Sequence, residues 1–288
     1  MSAEFGQSEG FILSSDCVGR FGSPKEIEKV WDFALTEKKF LGVEVVGWKN
    51  IINSFNKLLE KRVKIAGIHG RMGTDKTQPI RAKVRAAIVD SNIVGTKELL
   101  EKASEVPYLL LHSVCLNKAE NKELLLEKKS EIRTLLIENH VQKDALIHAL
   151  KHAVSLREKG VNAGLMIDIV HYFYENKVDP TRISAEWGEM LFWVNRIIAS
   201  AKAADTAMPI GIHLPVGTNA NDSLLMDHLT NAQWKKLADV IHNEANIPIV
   251  LENQQADIGL LFLTAEDALT QKHRNEDTFK LLTENGVI

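Results

Sequence analysis

Acidic and imidazole side chains close four apolar runs in the second half of the chain, and their chemical types suit metal binding. They are Glu138 in TLLIENH, Asp168 and His171 in LMIDIVHYF, His213 in PIGIHLPVG, and Glu252 in IPIVLENQQ. Glutamate, aspartate and histidine supply the oxygen and nitrogen ligands that divalent metal ions prefer. The sequence therefore predicts a divalent metal cofactor, and this ligand set suits Mn²⁺, Mg²⁺, Co²⁺ or Zn²⁺ equally.

The elements that would position these residues alternate along the whole chain. The short apolar runs are typical of buried strands, and amphipathic stretches such as KDALIHALKHAVSLREK predict helices between them. Eight such strands, with no GxGxxG after the first, favour an α/β fold, a single (β/α)8 TIM barrel, over a doubly wound sheet. The predicted strands are Phe11–Ser14, Gly42–Val46, Val63–His69, Tyr108–Val114, Thr134–Glu138, Ala163–Asp168, Pro209–His213 and Ile247–Glu252.

The barrel would gather the strand-end residues at one place, because the carboxyl ends of its strands meet at one face. We expect Glu138, Asp168, His213 and Glu252 to bind one divalent ion there. A carboxylate at the end of a buried strand is costly unless it is paired or bound to metal. The alternative is that each residue is a separate structural group paired with a lysine or arginine, but the strands offer almost no basic partners.

Three further histidines fall at or near predicted strand ends. His171 comes three residues after Asp168, where we expect the strand to give way to a loop. His171 is interpreted as a substrate contact, a support for the metal ligands or a ligand to a second metal, and the alternative is a packed loop histidine. His69 in KIAGIHGRMG and His112 in YLLLHSVC either bind substrate or join His171 in a second metal site. A satisfied core histidine is the alternative for each.

Composition limits the partners of the protein. The net charge of −3 and the few basic residues of the predicted active-face loops, Arg71 among them, suit one phosphate or carboxylate of a small substrate better than DNA. Trp48 is interpreted as a platform for a sugar ring, with core packing as the alternative.

Cellular location and assembly are also constrained. Two distant cysteines, the absence of a signal-like N-terminus and the lack of a membrane-length apolar run predict a cytoplasmic protein without a membrane partner. We expect one domain over residues 1–288, and the apolar residues of EMLFWVNRIIA fit either the core or a homo-oligomer contact.

The ordered strand-end residues resemble the xylose-isomerase-like TIM barrel superfamily, which includes sugar isomerases, ketose epimerases and the endonuclease IV enzymes. TLLIEN is similar to its fifth-strand glutamate motif, DIVHYFYENKVDP to its Asp-x-x-His motif, and GIHLPVG and PIVLEN to its seventh- and eighth-strand motifs. The resemblance covers essentially the whole chain.

In the isomerase and epimerase branch, the resemblance implies that Glu138 and Glu252 bind the metal and are also catalytic, one removing a proton beside a carbonyl and the other returning it. His171 would act with them by contacting the substrate, and Trp48, His69, Arg71 and His112 are the other candidate substrate-binding residues. We expect an isomerase or epimerase of a small sugar or hydroxy-carbonyl substrate. Asn219, where that branch often has a basic residue, departs from the pattern.

The endonuclease IV branch is the alternative, with several zinc ions that activate water against abasic DNA. His69 and His112 match its additional histidines, but Asp227 and His228 are adjacent where that branch has Asp-x-His. Adjacent side chains in an extended segment point to opposite sides, so a third metal ion is the part of this resemblance that the sequence supports least. Nucleic acid is an expected partner only under this alternative. A third hypothesis is a barrel that binds a ligand without catalysis.

Overall fold

The apolar runs of the sequence form parallel strands in a computed structural model, which describes residues 10–14, 24–47, 51–70, 102–140, 144–215, 228–252 and 265–288. Each strand pairs with the next in sequence, and the last pairs with the first, so eight strands close a barrel. The predicted α/β TIM barrel is confirmed. The strands are β1 (Phe11–Ser14), β2 (Phe40–Gly47), β3 (Ile65–Gly70), β4 (Tyr108–His112), β5 (Leu135–Glu138), β6 (Ala163–Asp168), β7 (Ile210–Pro215) and β8 (Ile249–Glu252).

Among the described residues, helices follow every strand except β3. Thr230 caps one of them: its side chain accepts a hydrogen bond from the backbone nitrogen of Gln233, and the Gln233 side chain accepts one from the backbone nitrogen of Thr230. Within the described ranges, no helix is long and apolar enough to cross a membrane. The described helices are α1 (Pro24–Leu35), α2 (Ile51–Glu60), α3 (Ala119–Glu127), α4 (Ala145–Arg157), α5 (Ile169–Glu175), α6 (Ile183–Ala204), α7 (Asn231–Glu244) and α8 (Ala265–Glu284).

Alternation along the strands separates two hydrophobic clusters and aims the site residues inward. In β4, Leu109 and Leu111 belong to the large cluster between barrel and helices, whereas Tyr108 and Leu110 belong to a small cluster inside the barrel. Since side chains alternate between the two faces of a strand, His112 lies on the inner side with Tyr108 and Leu110. The same alternation in β5 and β6 directs their final carboxylates inward, above the small cluster.

One strand, β4, ends earlier than predicted. The prediction extends β4 to Val114, but the strand ends at His112, and Ser113–Asn117 forms a buried 3₁₀ turn. The neighbouring strand explains the difference, because His112 pairs with Glu138, which is the last residue of β5. Beyond this pair, β4 has no partner on that side, so the apolar residues that follow pack in a turn.

Candidate metal centre

The carboxyl ends of the later strands bring the predicted ligands side by side. Strand pairing sets His112 beside Glu138 and Asp168 beside His213. Glu252 ends β8, and all five side chains are buried. The barrel therefore converts separate sequence motifs into neighbouring ligand candidates.

Asp168, His213 and Glu252 form a first set of candidate ligands, named here the Asp168 group. One ligand atom from each lies within 4.8 Å of the other two. His213 Nδ1 is 3.3 Å from Glu252 Oε2 and 3.1 Å from Glu138 Oε1. The structure thus gathers all four residues that the sequence predicted as ligands of one ion.

His69, His112 and Glu138 form a second set, named the Glu138 group. Nε2 of each imidazole lies 3.1 Å from Glu138 Oε2. Among the described residues, neither His69 Nε2 nor Glu138 Oε2 has a hydrogen-bond partner of acceptable geometry, although both atoms are buried. Buried polar atoms normally find partners, so two that are close but misaligned suit a shared third partner such as a metal ion.

His171 lies in α5, so the expectation of a loop at this position is wrong. Asp168 Oδ1 accepts hydrogen bonds from the backbone nitrogens of Val170 (2.8 Å) and His171 (3.0 Å), and a carboxylate in this position stabilises a helix start. His171 Nδ1 lies 2.8 Å from the Asn139 backbone oxygen and 3.6 Å from Asp168 Oδ2. With 21% of its side chain exposed, His171 is accessible to a substrate. It also forms a candidate metal set with Glu138 and Asp168.

Two predicted substrate-binding residues, Trp48 and Arg71, lie outside the described residues. Asp227, which the endonuclease alternative considered, lies outside them as well. Their roles stay predictions from the sequence.

Sequence reasoning missed Glu44, which lies in the middle of β2 and is fully buried. Its Oε1 is 3.1 Å from His213 Nε2 and 3.4 Å from His69 Nδ1. Its Oε2 accepts a 2.8 Å hydrogen bond from the Tyr108 hydroxyl. A signal was present in the sequence, since a single glutamate interrupts the apolar run FLGVEVVG.

The two residues that follow Glu138, Asn139 and His140, also belong to the site and were not predicted. The Asn139 side chain binds the backbone of Asp168 on both sides, donating to its oxygen at 2.9 Å and accepting from its nitrogen at 2.8 Å. The His140 ring centroid lies 4.9 Å from that of His112 and 5.5 Å from that of His171. Asn139 therefore fixes the start of α5 relative to β5, and His140 adds another imidazole to the mouth.

The imidazoles and carboxylates strongly shift each other's ionisation. Burial alone would raise the pKa of Glu44, but the charges and hydrogen bonds of His213 and His69 outweigh it and lower the pKa to about 2. Burial would lower the pKa of His69, but Glu138 and Glu44 raise it to about 10. For the same reason the pKa of His213 is raised well above its ordinary value. In the absence of metal, these two imidazoles are therefore positively charged at neutral pH.

Burial and neighbouring charges also shift the pKa values of Asp168, Glu252 and His140. Burial raises the pKa of Asp168 to about 6, with the negative charges of Glu138 and Glu252 acting in the same direction and His171 opposing them. The pKa of Glu252 falls to about 2, because hydrogen bonding and charge from His213 overcome the effect of burial. Burial and the neighbouring His112 lower the pKa of His140 to about 2, so that imidazole is neutral.

The charge of the site fits divalent metal. Glu44, Glu138, Asp168 and Glu252 are all buried, and their described ion pairs involve imidazoles rather than lysine or arginine. Burying an uncompensated charge costs several kcal/mol. Metal ligation requires neutral imidazoles, and two divalent ions would then balance the four carboxylates. The residues thus have the ligand types, the spacing and the charge of a metal site.

Comparisons with known proteins address the fold. No protein-family model matches the chain, and no curated protein matches its sequence significantly. A xylose isomerase domain-containing protein from Salmonella typhimurium LT2 is similar in structure, with TM-score 0.50 and 13% identity over 98% of this chain and 99% of that chain. Protein SMc04130 from Sinorhizobium meliloti 1021 gives TM-score 0.52 and 15% identity over 94% and 99%. An L-ribulose 3-epimerase gives TM-score 0.53 and 12% identity over 97% and 96%.

The chain shares the TIM-barrel fold of these structures. The fold expected from the resemblance of the strand-end motifs is therefore confirmed. At these low identities a shared fold does not carry an activity, because function resides in the site. The reaction is accordingly inferred from the residues that the barrel gathers at its mouth.

Proposed function

We propose that the protein is a metal-dependent isomerase or epimerase of a small sugar or hydroxy-carbonyl compound. The observation that carries the proposal is the approach of two glutamates to one metal-ligand imidazole. Glu138 Oε1 and Glu252 Oε2 lie 3.1 and 3.3 Å from the same atom, His213 Nδ1. Carboxylates on two different strands thus flank one candidate ion position, as removal and return of a proton beside the carbonyl would require.

The protein residues divide the work of such a reaction. A divalent ion bound by the Asp168 group would polarise the substrate carbonyl and acidify the neighbouring C–H bond. Glu138 or Glu252, in its ionised form, would accept that proton, and the other, in its protonated carboxylic acid form, would deliver a proton to the product carbon. His171 holds a substrate oxygen, since its side chain is partly exposed while its Nδ1 is fixed near the Asn139 carbonyl. Asn139 keeps α5, and hence His171, in place.

The direct test is hydrogen exchange at carbon. The metal-loaded protein is incubated in deuterated water with a panel of ketoses and hydroxypyruvate, and deuterium incorporation beside the carbonyl is followed by NMR. We expect exchange by the wild type and a loss of at least about 100-fold in Glu138→Gln and in Glu252→Gln, as for removal of a general acid or base. Glu186→Gln, on the outer helix α6, is the matched control. Exchange that survives in both site variants would contradict the proposal.

Phosphoester hydrolysis, including incision at abasic DNA, is the second candidate, and the Glu138 group favours it. A one-metal isomerase has no evident need for two imidazoles 3.1 Å from one glutamate oxygen. A second ion held by His69, His112 and Glu138 would lie beside the Asp168 group, because Glu138 Oε1 is 3.1 Å from His213 Nδ1. Two neighbouring ions are the arrangement that stabilises the attacking and leaving oxygens of phosphoryl transfer.

His69→Asn separates the two candidates, because it removes a ligand of the Glu138 group only. If the protein hydrolyses phosphoesters, wild type cleaves an abasic-site duplex or a simple phosphodiester, and the variant loses this activity together with one bound ion. If it is an isomerase, wild type leaves both substrates intact, and the variant retains a bound ion in the Asp168 group. Strand cleavage by wild type without carbon exchange would overturn the isomerase proposal.

A further inference from the structure

We propose that Glu44 is a shared positioning residue that orients His213 and His69 for metal binding from beneath the site. The proposal rests on the metal site of the proposed function and holds for either reaction. Glu44 lies inside β2 and is fully buried, so a substrate at the mouth of the barrel would not touch it. Its role is inferred from which nitrogens it contacts.

Glu44 contacts the rear nitrogen of two imidazoles that belong to different candidate groups. Its Oε1 lies 3.1 Å from His213 Nε2, and the opposite nitrogen, Nδ1, faces Glu138 and Glu252 at 3.1 and 3.3 Å. The same oxygen lies 3.4 Å from His69 Nδ1, within ion-pair distance but without hydrogen-bond geometry, and the opposite nitrogen, Nε2, faces Glu138 at 3.1 Å. One carboxylate oxygen thus supports both the Asp168 group and the Glu138 group.

This arrangement determines which nitrogen of each ring carries a proton once metal is bound. An ionised carboxylate only accepts hydrogen bonds, so His213 Nε2 at 3.1 Å must donate, and the same negative charge at 3.4 Å favours a proton on His69 Nδ1. His213 then has its proton on Nε2 and a free lone pair on Nδ1, whereas His69 has its proton on Nδ1 and a free lone pair on Nε2. Both lone pairs point to the other carboxylates, and the two rings are held in opposite tautomers.

Neighbouring strands hold Glu44 itself in place. Strand pairing sets Glu44 beside Gly67 and Gly67 beside Tyr108, so the three residues form a row across β2, β3 and β4. The Tyr108 ring fills the space in the middle of this row, since a Cβ on residue 67 would lie 2.2 Å from a ring carbon. The hydroxyl thereby reaches Glu44 Oε2 at 2.8 Å and leaves Oε1 to the two imidazoles.

Glu44, His69 and His213 are also close enough to form a metal set by themselves, with ligand atoms within 4.8 Å of one another. An ion there would need the rear nitrogens of both rings and would leave the front nitrogens facing Glu138 and Glu252 without metal. In a positioning role, the rear nitrogens face Glu44 and the front nitrogens stay free to bind metal. The two roles differ in ion count and in tautomer, and both are measurable.

The test compares Glu44→Gln with Tyr108→Phe and with the surface control Glu186→Gln. Zn²⁺ affinity and stoichiometry are measured by competition with a chromophoric chelator, and histidine tautomers by ¹⁵N NMR of the zinc-loaded protein. We expect Glu44→Gln to weaken Zn²⁺ binding by about 10- to 100-fold with an unchanged number of sites, as for other residues that orient metal ligands. We expect Tyr108→Phe, which loses one hydrogen bond to Glu44, to weaken binding by about fivefold.

In the wild type, the NMR spectra should show one imidazole ligated through Nδ1 and another through Nε2, and Glu44→Gln should disturb both. Affinity and tautomers that match the control would overturn the proposal, as would the loss of a whole ion with the tautomers preserved. If Glu44→Gln fails to fold, Tyr108→Phe carries the same comparison. Absence of Zn²⁺ binding by the wild type would instead defeat the metal site, so the two failures are distinguishable.

Discussion

Metal binding should release protons from this protein, and the effect of pH on affinity follows from the charges in the site. The pKa of His69 is raised to about 10, and that of His213 lies well above 6.5, because buried glutamates overcome the effect of burial on both rings. Both imidazoles are therefore protonated at pH 7 in the metal-free protein. A metal ion can bind their front nitrogens only after each ring has lost a proton.

The slope of the effect gives the number of protons. Affinity rises with pH, because raising the pH removes the protons that compete with metal. If His69 and His213 each release one proton when their own ion binds, each of the two metal dissociation constants falls about tenfold per pH unit between pH 7 and 8.5, and their product falls about 100-fold. If only one ring is a ligand, only one dissociation constant falls in this way. The pKa of Asp168 is about 6, so below that pH a further proton should compete and the slope should steepen.

Calorimetric titration with Mn²⁺ in pairs of buffers of different ionisation enthalpy counts the released protons directly. We expect close to two protons per chain at pH 7.5 if both groups bind metal. His242→Gln, in which the lost imidazole contacts the Gly286 carbonyl on the outside of the barrel, should release the same number. Mn²⁺ binding with no proton release and a flat pH dependence would refute the assignment of these imidazoles as ligands.

Other predictions test the supporting structure. Gly67→Ala should destabilise the fold by about 1–3 kcal/mol in chemical denaturation, because the new methyl group would lie 2.2 Å from the Tyr108 ring; no loss of stability would contradict this packing. Asp168→Asn should weaken metal binding but keep the acceptor for the start of α5, whereas Asp168→Ala should cost a further ~0.5–2 kcal/mol. Equal stability of the two variants would contradict the capping role. Thr230→Ala should lower stability by about 1 kcal/mol and leave Mn²⁺ affinity unchanged, because it removes only the cap of α7.

The barrel and most of its candidate ligands were predictable from the sequence, because their pattern is local. A polar residue that ends an apolar run marks the carboxyl end of a strand, and the closed barrel supplies the long-range step. Glu138, Asp168, His213 and Glu252 come together for this reason. His69 and His112 follow the same rule in β3 and β4.

The residues that were missed depend on contacts between strands rather than on position at a strand end. Glu44 lies inside β2, so the rule that selects strand ends passes over it, and its role emerges only from its distances to two distant imidazoles. Asn139 is recognisable only from its hydrogen bonds to the backbone of Asp168. The helix that contains His171 was likewise not apparent, because its start depends on the Asp168 side chain in the folded protein.

The most direct test of the metal centre is a count of divalent ions on the folded chain. Three proteins are compared: wild type, Glu252→Gln and the control Glu186→Gln. Each is stripped of metal with a chelator, reloaded with Mn²⁺ or Zn²⁺ and dialysed in the same buffer, and its metal content is measured by inductively coupled plasma mass spectrometry. The account predicts one or two ions per chain for wild type and control, with a clear loss in Glu252→Gln, because Glu252 belongs to the Asp168 group. No bound ion in wild type, or equal content in all three proteins, would contradict it.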